Sequence, residues 1–412
     1  MEDPEPSRSR PLALAGTTTV ARHVEVHRLA VAGRQPVIAR NTGARVSLVW
    51  LRTSRFAAVE AMATATLTLG PDASAFYQRG WARSSTGRPW LALEDCQQAL
   101  TRYQQVGDRT GEAATLNNIG RVYDGLGNRQ RALDHYHQAL PIRREVGDRT
   151  GEATTINNIG LVYARLGDRQ RALDYYHQAL SIRREVGDRT GEAVTLNNIG
   201  RVYDRLRDWQ RALDHYHQAL PIRREVGDRT GEATTINNIG GVYARLGDWQ
   251  QALNHYHQAL LVTREVGNRA GEAATLNNIG YVYARLGDLQ RALDHYHQAL
   301  PTLQEVGDRA GEAVTLNNIG GVYDRLGDWQ QALNHYHQAL PTLQGVGDRA
   351  GEATMRLNIA VAHRAQGDLD QAIQELEHVV DLHRQIDHPD LIVDTTVLEQ
   401  LRRQRAETRE PT

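Results

Sequence analysis

Apolar residues along most of the chain recur at spacings of three and four. In one representative segment these residues are Ala153, Ile156, Ile159, Tyr163 and Leu166. This spacing places apolar side chains on one stripe of an amphipathic α-helix. A second stripe follows directly and consists of Ala172, Tyr176, Ala179, Leu180 and Val186. The segment therefore predicts two consecutive helices, neither of which can bury its apolar stripe alone.

Asp and Gly residues mark where these helices begin and end. Asp148 and Asp168 precede the two stripes, and a carboxylate there accepts hydrogen bonds from N–H groups of the first helical turn. Gly167 and Gly187 follow the stripes, where a left-handed residue commonly ends a helix. The pattern therefore predicts a helix-turn-helix unit.

This unit recurs with a period of forty residues. The motif G-E-A-x-T-[LI]-N-N-I-G begins at Gly111, Gly151, Gly191, Gly231, Gly271 and Gly311. Degenerate copies flank these six, so residues 71–390 are predicted to hold eight repeats. Residues 131–160 recur unchanged as residues 211–240. Stacked units of this kind bury one another's apolar stripes, and their stability comes from contacts between neighbours.

The two ends of the chain carry weaker patterns. Residues 1–36 are predicted to form a disordered or irregular segment, and residues 37–70 allow a further, degenerate copy. Residues 391–412 are predicted to form a capping helix and a tail, with Leu391, Leu398 and Leu401 on the apolar side.

Composition narrows the classes of function. The formal net charge is -1, which gives no electrostatic reason to expect nucleic acid or an anionic membrane as partner. The sequence contains no Lys, which excludes a phosphate-binding loop and a Schiff base. Cys96 is the only cysteine, so there is no internal disulfide or Cys-based zinc site, and a reducing cytoplasm is expected. No run approaches the roughly 18 apolar residues that span a bilayer.

The small and aromatic positions of the unit resemble the tetratricopeptide repeat. In the first clear copy the matching residues are Leu116, Ile119, Gly120, Tyr123, Gly127, Ala132, Tyr136 and Ala139. The forty-residue period and the G-D-R-x-G-E-A sequence that joins one repeat to the next resemble the longer subtype of this repeat. That subtype is found in kinesin light chains, spindle-orientation adaptors and bacterial signalling proteins. The resemblance implies an all-α fold, a right-handed superhelical solenoid of tandem repeats whose first helices line a concave groove. In relatives that groove holds an extended peptide or a partner helix.

Positions that differ between the near-identical copies are candidates for this groove. The residue after the motif is Arg121, Leu161, Arg201, Gly241, Tyr281 or Gly321, and three residues later stands Asp124, Ala164, Asp204, Ala244, Ala284 or Asp324. A spacing of three places both positions on one helical face. We predict the groove residues Arg121, Asp124, Leu161, Arg201, Asp204, Tyr281 and Asp324. Neutral drift on a solvated surface is the alternative explanation of this variation.

Each motif also carries two asparagines in mid-helix. The first members are Asn117, Asn157, Asn197, Asn237, Asn277 and Asn317, and the second members are Asn118, Asn158, Asn198, Asn238, Asn278 and Asn318. Asn is unfavourable inside a helix because its amide competes for backbone groups, yet that amide can pair with the backbone of an extended peptide. In relatives similar to kinesin light chains, Asn at this place contacts the peptide. The first Asn is therefore predicted to face the groove, while a bond from one Asn to the adjacent repeat is the alternative.

Histidines recur as H-Y-H, at His135 and His137 and in four later copies. Side chains two positions apart on a helix point in directions about 200° apart, so the two histidine rings of one motif cannot bind the same metal ion. We expect no metal and no other cofactor. The histidines are predicted to serve polar or inter-repeat packing, and they favour sensitivity to mild acid.

These patterns predict a protein–protein interaction scaffold or adaptor that binds a peptide or partner segment. A peptide-responsive regulatory sensor that controls a separate effector is the alternative. No catalytic set stands out, and an enzyme would need its active site in residues 1–70. Self-association stays open, because an imperfect C-terminal cap could leave an apolar face for a second chain.

Overall fold

A computed structural model describes residues 12–409 of the chain, and this part contains twenty α-helices and no strand. Three helices come first: α1 (Leu12–Ala32), α2 (Pro36–Arg52) and α3 (Phe56–Leu67). Eight pairs follow: α4 (Ala73–Ser85) and α5 (Pro89–Val106), α6 (Arg109–Gly125) and α7 (Arg129–Glu145), α8 (Arg149–Leu166) and α9 (Arg169–Glu185), α10 (Arg189–Arg205) and α11 (Trp209–Glu225), α12 (Arg229–Leu246) and α13 (Trp249–Glu265), α14 (Arg269–Leu286) and α15 (Leu289–Val306), α16 (Arg309–Leu326) and α17 (Trp329–Val346), and α18 (Arg349–Ala365) and α19 (Leu369–Gln385). The last helix is α20 (Leu391–Arg409).

The helices pack as consecutive pairs, which confirms the predicted all-α fold of tandem helix-turn-helix units. The chain divides into two compact units, of which the first ends at Val202 and the second begins at Tyr203. None of the helices within residues 12–409 combines the length and the hydropathy needed to cross a bilayer.

The N-terminal region departs from the sequence-based expectation. Residues 12–32 form α1, although residues 1–36 are predicted to be disordered or irregular, and residues 1–11 lie outside the described part. Contacts with distant residues stabilise this helix, although its sequence pattern is weak. His27 on α1 forms a 2.8 Å hydrogen bond with the Thr66 hydroxyl on α3, and both side chains are buried. Packing on neighbouring elements commonly stabilises a helix whose own sequence signal is weak.

The predicted helix ends are confirmed in the representative unit. Asp148 accepts a hydrogen bond from the Gly151 N–H at 2.8 Å, and Asp168 accepts one from the Arg171 N–H at 3.0 Å. Gly167 adopts a φ of 84°, the left-handed conformation that ends α8. Both helices therefore begin and end where the Asp and Gly signals place them.

A buried glutamate holds the joint between repeats. Glu152 is 3% exposed and accepts hydrogen bonds from Arg144 Nε at 2.7 Å and Arg149 Nη1 at 2.5 Å. Arg144 lies on the preceding helix, so the ion pair connects α7 to α8. Glu232 and Glu272 take the same position in the second unit. The G-D-R-x-G-E-A joint is thus explained by capping together with this ion pair.

In five of the central pairs, a tyrosine of the second helix lies against a glycine of the first. A Cβ added at Gly160 would lie 2.9 Å from Cδ1 of Tyr176 and 3.2 Å from the Ala172 carbonyl oxygen. Tyr176 is 1% exposed, so its ring has no room to withdraw. In the last copy Ala360 replaces the glycine, and the buried residue opposite is Leu376 in place of tyrosine. An alanine therefore stands at the glycine position where a leucine replaces the tyrosine.

At the C-terminal end, α20 covers the apolar side of α19. Leu398 and Leu401 are buried in one cluster with Leu376 and Val380. This helix occupies the range predicted for a cap, and residues 410–412 lie outside the described part.

The Gly160→Ala variant is expected to lower the free energy of unfolding by about 1–3 kcal/mol, the usual cost of overpacking. The measurement is urea unfolding followed by far-ultraviolet circular dichroism. Gly125→Ala is the matched control, because an added Cβ there meets nothing within 4 Å. It should be neutral or slightly stabilising, since alanine favours helix more than glycine does. The double variant Gly160→Ala, Tyr176→Leu should recover part of the loss. Equal stability of the two single variants would contradict the steric argument.

Candidate partner-binding face

Within each compact unit, asparagines of neighbouring repeats are hydrogen-bonded to one another. Asn158 Nδ2 donates to Asn117 Oδ1 at 3.2 Å, and Thr155 Oγ1 donates to the same oxygen at 3.3 Å. The same set recurs as Asn198 and Thr195 on Asn157, Asn278 and Thr275 on Asn237, and Asn318 and Thr315 on Asn277. Asn358 continues it by donating to Asn317 at 2.8 Å. We call this set of contacts the asparagine ladder.

At each of these contacts, the first asparagine of one repeat accepts a hydrogen bond from an asparagine of the next repeat. The sequence left open whether one member of each pair forms such a bond. Asn157 is only 6% exposed, whereas Asn277 and Asn317 are half-buried. In the first copy, the buried Asn118 instead donates to Cys96 Sγ at 3.7 Å and accepts from Arg121 Nη2 at 2.8 Å. The amide oxygens of five first asparagines, Asn117, Asn157, Asn237, Asn277 and Asn317, are thus engaged within the protein.

The variable position after each motif lies beside the ladder. Arg121, Arg201 and Tyr281 are exposed at this position, and Tyr281 is 46% exposed. Leu161, Gly241 and Gly321 are half-buried. The hydrogen bond from Arg121 to Asn118 places the variable side chain on the same helical face as the asparagines. We call this face, carried by the first helix of each pair, the first-helix face.

Two of the predicted aspartates form ion pairs with the next repeat. Asp124 pairs with Arg165, which stands 41 residues later. Asp204 accepts from Arg245 Nε at 2.8 Å and from Arg245 Nη2 at 2.5 Å, at the same separation of 41. Asp324 accepts instead from the Tyr336 hydroxyl at 2.5 Å. The arginines were not predicted, and the signal for them in the sequence is the fixed separation from each aspartate.

The repeated histidines stack on tyrosines. The rings of Tyr283 and His295 have centroids 5.4 Å apart and lie 2° from parallel. His295 also lies 6.4 Å from His257 of the preceding repeat, measured between ring centroids. The histidines thus contribute to packing within and between repeats. Within the described residues, no group of three or more His, Cys, Asp or Glu side chains is arranged to hold a metal ion.

Cys96 lies in the core and lacks the character of a nucleophile. It is fully buried between α4 and α6, with Gly80 on one side and Asn118 on the other. Burial, together with the charge of Asp95, raises the pKa of Cys96 to about 12. The thiol therefore stays protonated near neutral pH, whereas nucleophilic chemistry requires the thiolate.

A sequence model of the tetratricopeptide repeat matches residues 72–145, 151–225, 231–305, 271–345 and 311–385. No curated protein sequence matches the chain.

Several solved structures share the fold. One is a signal transduction ATPase with numerous domains that carries a tetratricopeptide repeat sensor, from Pyrococcus horikoshii (TM-score 0.62, 14% identity). The match covers 88% of this chain and 54% of that one, so the chain spans about half of its length. The apo quorum sensor NprR from B. thuringiensis matches over 83% of this chain and 98% of its own (TM-score 0.57, 16% identity). A Rap protein complexed with competence and sporulation factor matches over 90% and 99% (TM-score 0.57, 15% identity).

The Asn277→Ala variant is expected to lower the free energy of unfolding by about 1–2 kcal/mol, because the Asn318 amide and the Thr315 hydroxyl lose their shared acceptor. Gln298→Ala, at an exposed position of α15, is the matched control and should change stability little. Urea unfolding of the full chain measures both. If Asn277→Ala is as stable as Gln298→Ala, the ladder contributes nothing to stability.

Acid is expected to destabilise the chain through the stacked histidines. Burial lowers the pKa of His255, His295 and His335, and the neighbouring histidine lowers it further. The folded chain thus binds these protons more weakly than the unfolded chain does. Stability is therefore full above the unfolded pKa of about 6.5 and is lost as the pH falls below it.

The chain itself offers the substitution that tests this pH dependence. In one copy Tyr175 replaces the histidine and stacks on Tyr163 at 5.4 Å. The triple variant His255→Tyr, His295→Tyr, His335→Tyr should therefore keep the stacking and lose less thermal stability between pH 7 and pH 5. An unchanged pH dependence of the melting temperature would show that the histidines do not cause it.

Proposed function

The chain belongs to the tetratricopeptide repeat family, and we propose that it is a scaffold or adaptor that binds a protein or peptide segment on the first-helix face. One observation carries the proposal. Copies that are otherwise almost identical differ at the position after each motif, where Arg121, Arg201 and Tyr281 are exposed. A surface maintained only for packing has no need of such different side chains at one repeated position.

The asparagine ladder and the Asp–Arg pairs would hold these side chains in place. Their hydrogen bonds fix neighbouring first helices to one another, so little ordering remains to be done when a partner binds. Arg and Tyr are also among the residues enriched at protein interfaces. Within each unit, the fixed frame and the variable side chains together form a surface suited to a specific segment.

The asparagines take a double role in this proposal. Their amide oxygens maintain the frame, as in the bond from Asn318 to Asn277. The half-buried Asn277 and Asn317 stand beside the exposed positions, and we propose that they contact the backbone of a bound peptide.

We further propose that the chain acts in the cytoplasm and without catalysis. A single, buried Cys96 is compatible with a reducing compartment. Its raised pKa leaves it unsuited to nucleophilic chemistry.

A peptide-responsive sensor is the second candidate. NprR is described as a quorum sensor, and the Pyrococcus protein carries a tetratricopeptide repeat sensor. A sensor must change conformation when its ligand binds, because a ligand shifts an equilibrium only by its different affinities for the two states. A change in the radius of gyration on binding, measured by small-angle X-ray scattering, would favour the sensor. An unchanged radius would favour the scaffold.

Photo-crosslinking in the source cell tests where the partner binds. A photoreactive amino acid replaces Arg121, Leu161, Arg201 or Tyr281 in the full chain. Matched probes replace Gln138, Gln178 or Gln298, which are exposed on the second helices. We expect one partner to be crosslinked from the first set and several-fold less from the second, because only the first set lies on the first-helix face.

Each probe variant must retain the melting temperature of the unmodified chain. A partner crosslinked only from the second helices would place the binding site elsewhere. The absence of any crosslinked partner from all positions would contradict the adaptor proposal.

A further inference from the structure

Asp324 is the one predicted groove aspartate without an arginine from the next repeat. Asp124 has Arg165 and Asp204 has Arg245, each 41 residues later. The same step from Asp324 leads to Ala365, in the degenerate copy. In the described part of the chain, no cation lies within ion-pair distance of Asp324. At this point of the first-helix face, the aspartate of the Asp–Arg pair is present and its arginine is replaced by alanine.

An open cavity of about 250 Å³ lies at this place. Its wall includes Tyr281, Asn317, Gly321, Asp324, Tyr336 and Asn358. Gly321 creates part of the space, because four of the other five copies carry Arg, Leu or Tyr at the corresponding position and only Gly241 is also a glycine. A Cβ added at Gly321 would meet only the Tyr336 hydroxyl, at 3.9 Å. The cavity thus lies where Gly321 provides no side chain and where Ala365 replaces the arginine of other copies.

The carboxylate of Asp324 is incompletely satisfied. Tyr336 donates to Oδ2 at 2.5 Å, whereas Oδ1 is buried and lacks a hydrogen-bond partner. Burial raises the pKa of Asp324, and the hydrogen bond from Tyr336 opposes this effect. A buried acceptor without a donor is unfavourable, so a donor that enters the cavity would gain both a hydrogen bond and a charge partner.

Two arginines line the same cavity but are engaged elsewhere. Arg325 Nη1 donates to the carbonyl oxygen of Ala284. The Arg285 guanidinium carbon lies 5.8 Å from the ring centroid of Trp249. Neither forms an ion pair with Asp324, although Arg325 is its neighbour in sequence. The acidic group therefore remains open to a cation from outside the chain.

We propose that this cavity binds an arginine side chain of the partner segment, with Asp324 as the counter-ion and Tyr281 as an aromatic wall. The inference rests on the proposed function and specifies the chemistry of one part of its site. The guanidinium would take the role that Arg245 has at Asp204, where two nitrogens donate to the two carboxylate oxygens. Arginine fits better than lysine, because its planar guanidinium binds a carboxylate through two bonds and stacks on an aromatic face.

The chain provides a variant that closes the site with its own side chain. Ala365→Arg restores the arginine found at the equivalent positions 165 and 245, and residue 365 is exposed at the end of α18. Asp324→Asn removes the charge while keeping the shape. Asp294→Asn is the matched control, since Asp294 is exposed on the second helix α15.

The test is selection from a displayed library of random ten-residue peptides on the full chain, in parallel with the three variants. We expect arginine to be enriched at one peptide position by the wild-type chain and by Asp294→Asn, and not by Ala365→Arg or Asp324→Asn. Replacing that arginine by citrulline, its neutral isostere, should weaken binding to the wild-type chain about tenfold, the effect of one good charged contact. It should not weaken binding to Ala365→Arg.

The outcomes separate this inference from the proposed function. Selected peptides without an arginine preference, or with the same preference in Ala365→Arg, would overturn the arginine site and leave peptide binding established. Selection of no peptide by any chain would contradict both. Melting temperatures of all variants control for folding, and the two independent changes at residues 324 and 365 must agree.

Discussion

The contact between a tyrosine of one helix and a glycine of its partner sets the geometry on which the rest of the structure depends. Each first helix must approach its second helix closely enough to fill the space that a side chain at Gly160 or Gly240 would occupy. Only the degenerate copies at the two ends lack the tyrosine, and they carry Cys96 and Leu376 at its position. Close packing of this kind tolerates few changes in volume, which explains why six copies have kept it.

With the helix pairs fixed, polar contacts align one repeat with the next. The asparagine ladder and the Asp–Arg pairs both join residues that are about one period apart, such as Asn117 with Asn158 and Asp204 with Arg245. The asparagine bonds are half-buried, so their partners would be left unsatisfied if the repeats slid past one another. Tight packing within each pair and polar bonds between pairs thus act together to hold the exposed positions at set distances.

The sequence predicts local structure well because its signals are local. Asp148 and Gly167 mark helix ends through bonds that span three or four residues, and the apolar stripes follow directly from helix geometry. The helix at residues 12–32 was not predicted, because its stability depends on distant contacts such as the one between His27 and Thr66. The donors Thr155 and Arg165 were missed for the same reason: only the folded repeat shows that a separation of 38 or 41 residues is a contact.

The missing arginine at residue 365 has a consequence for how such a gene changes. The identical stretches at 131–160 and 211–240 are natural points for unequal recombination, which would add or remove eighty residues without creating a new kind of interface. Each internal aspartate would still meet the arginine of its successor. The unpaired carboxylate lies in the copy that precedes the degenerate one, outside the identical stretches, so this feature would be inherited unchanged while the length of the array drifts. Array length and the terminal cavity are therefore free to evolve independently.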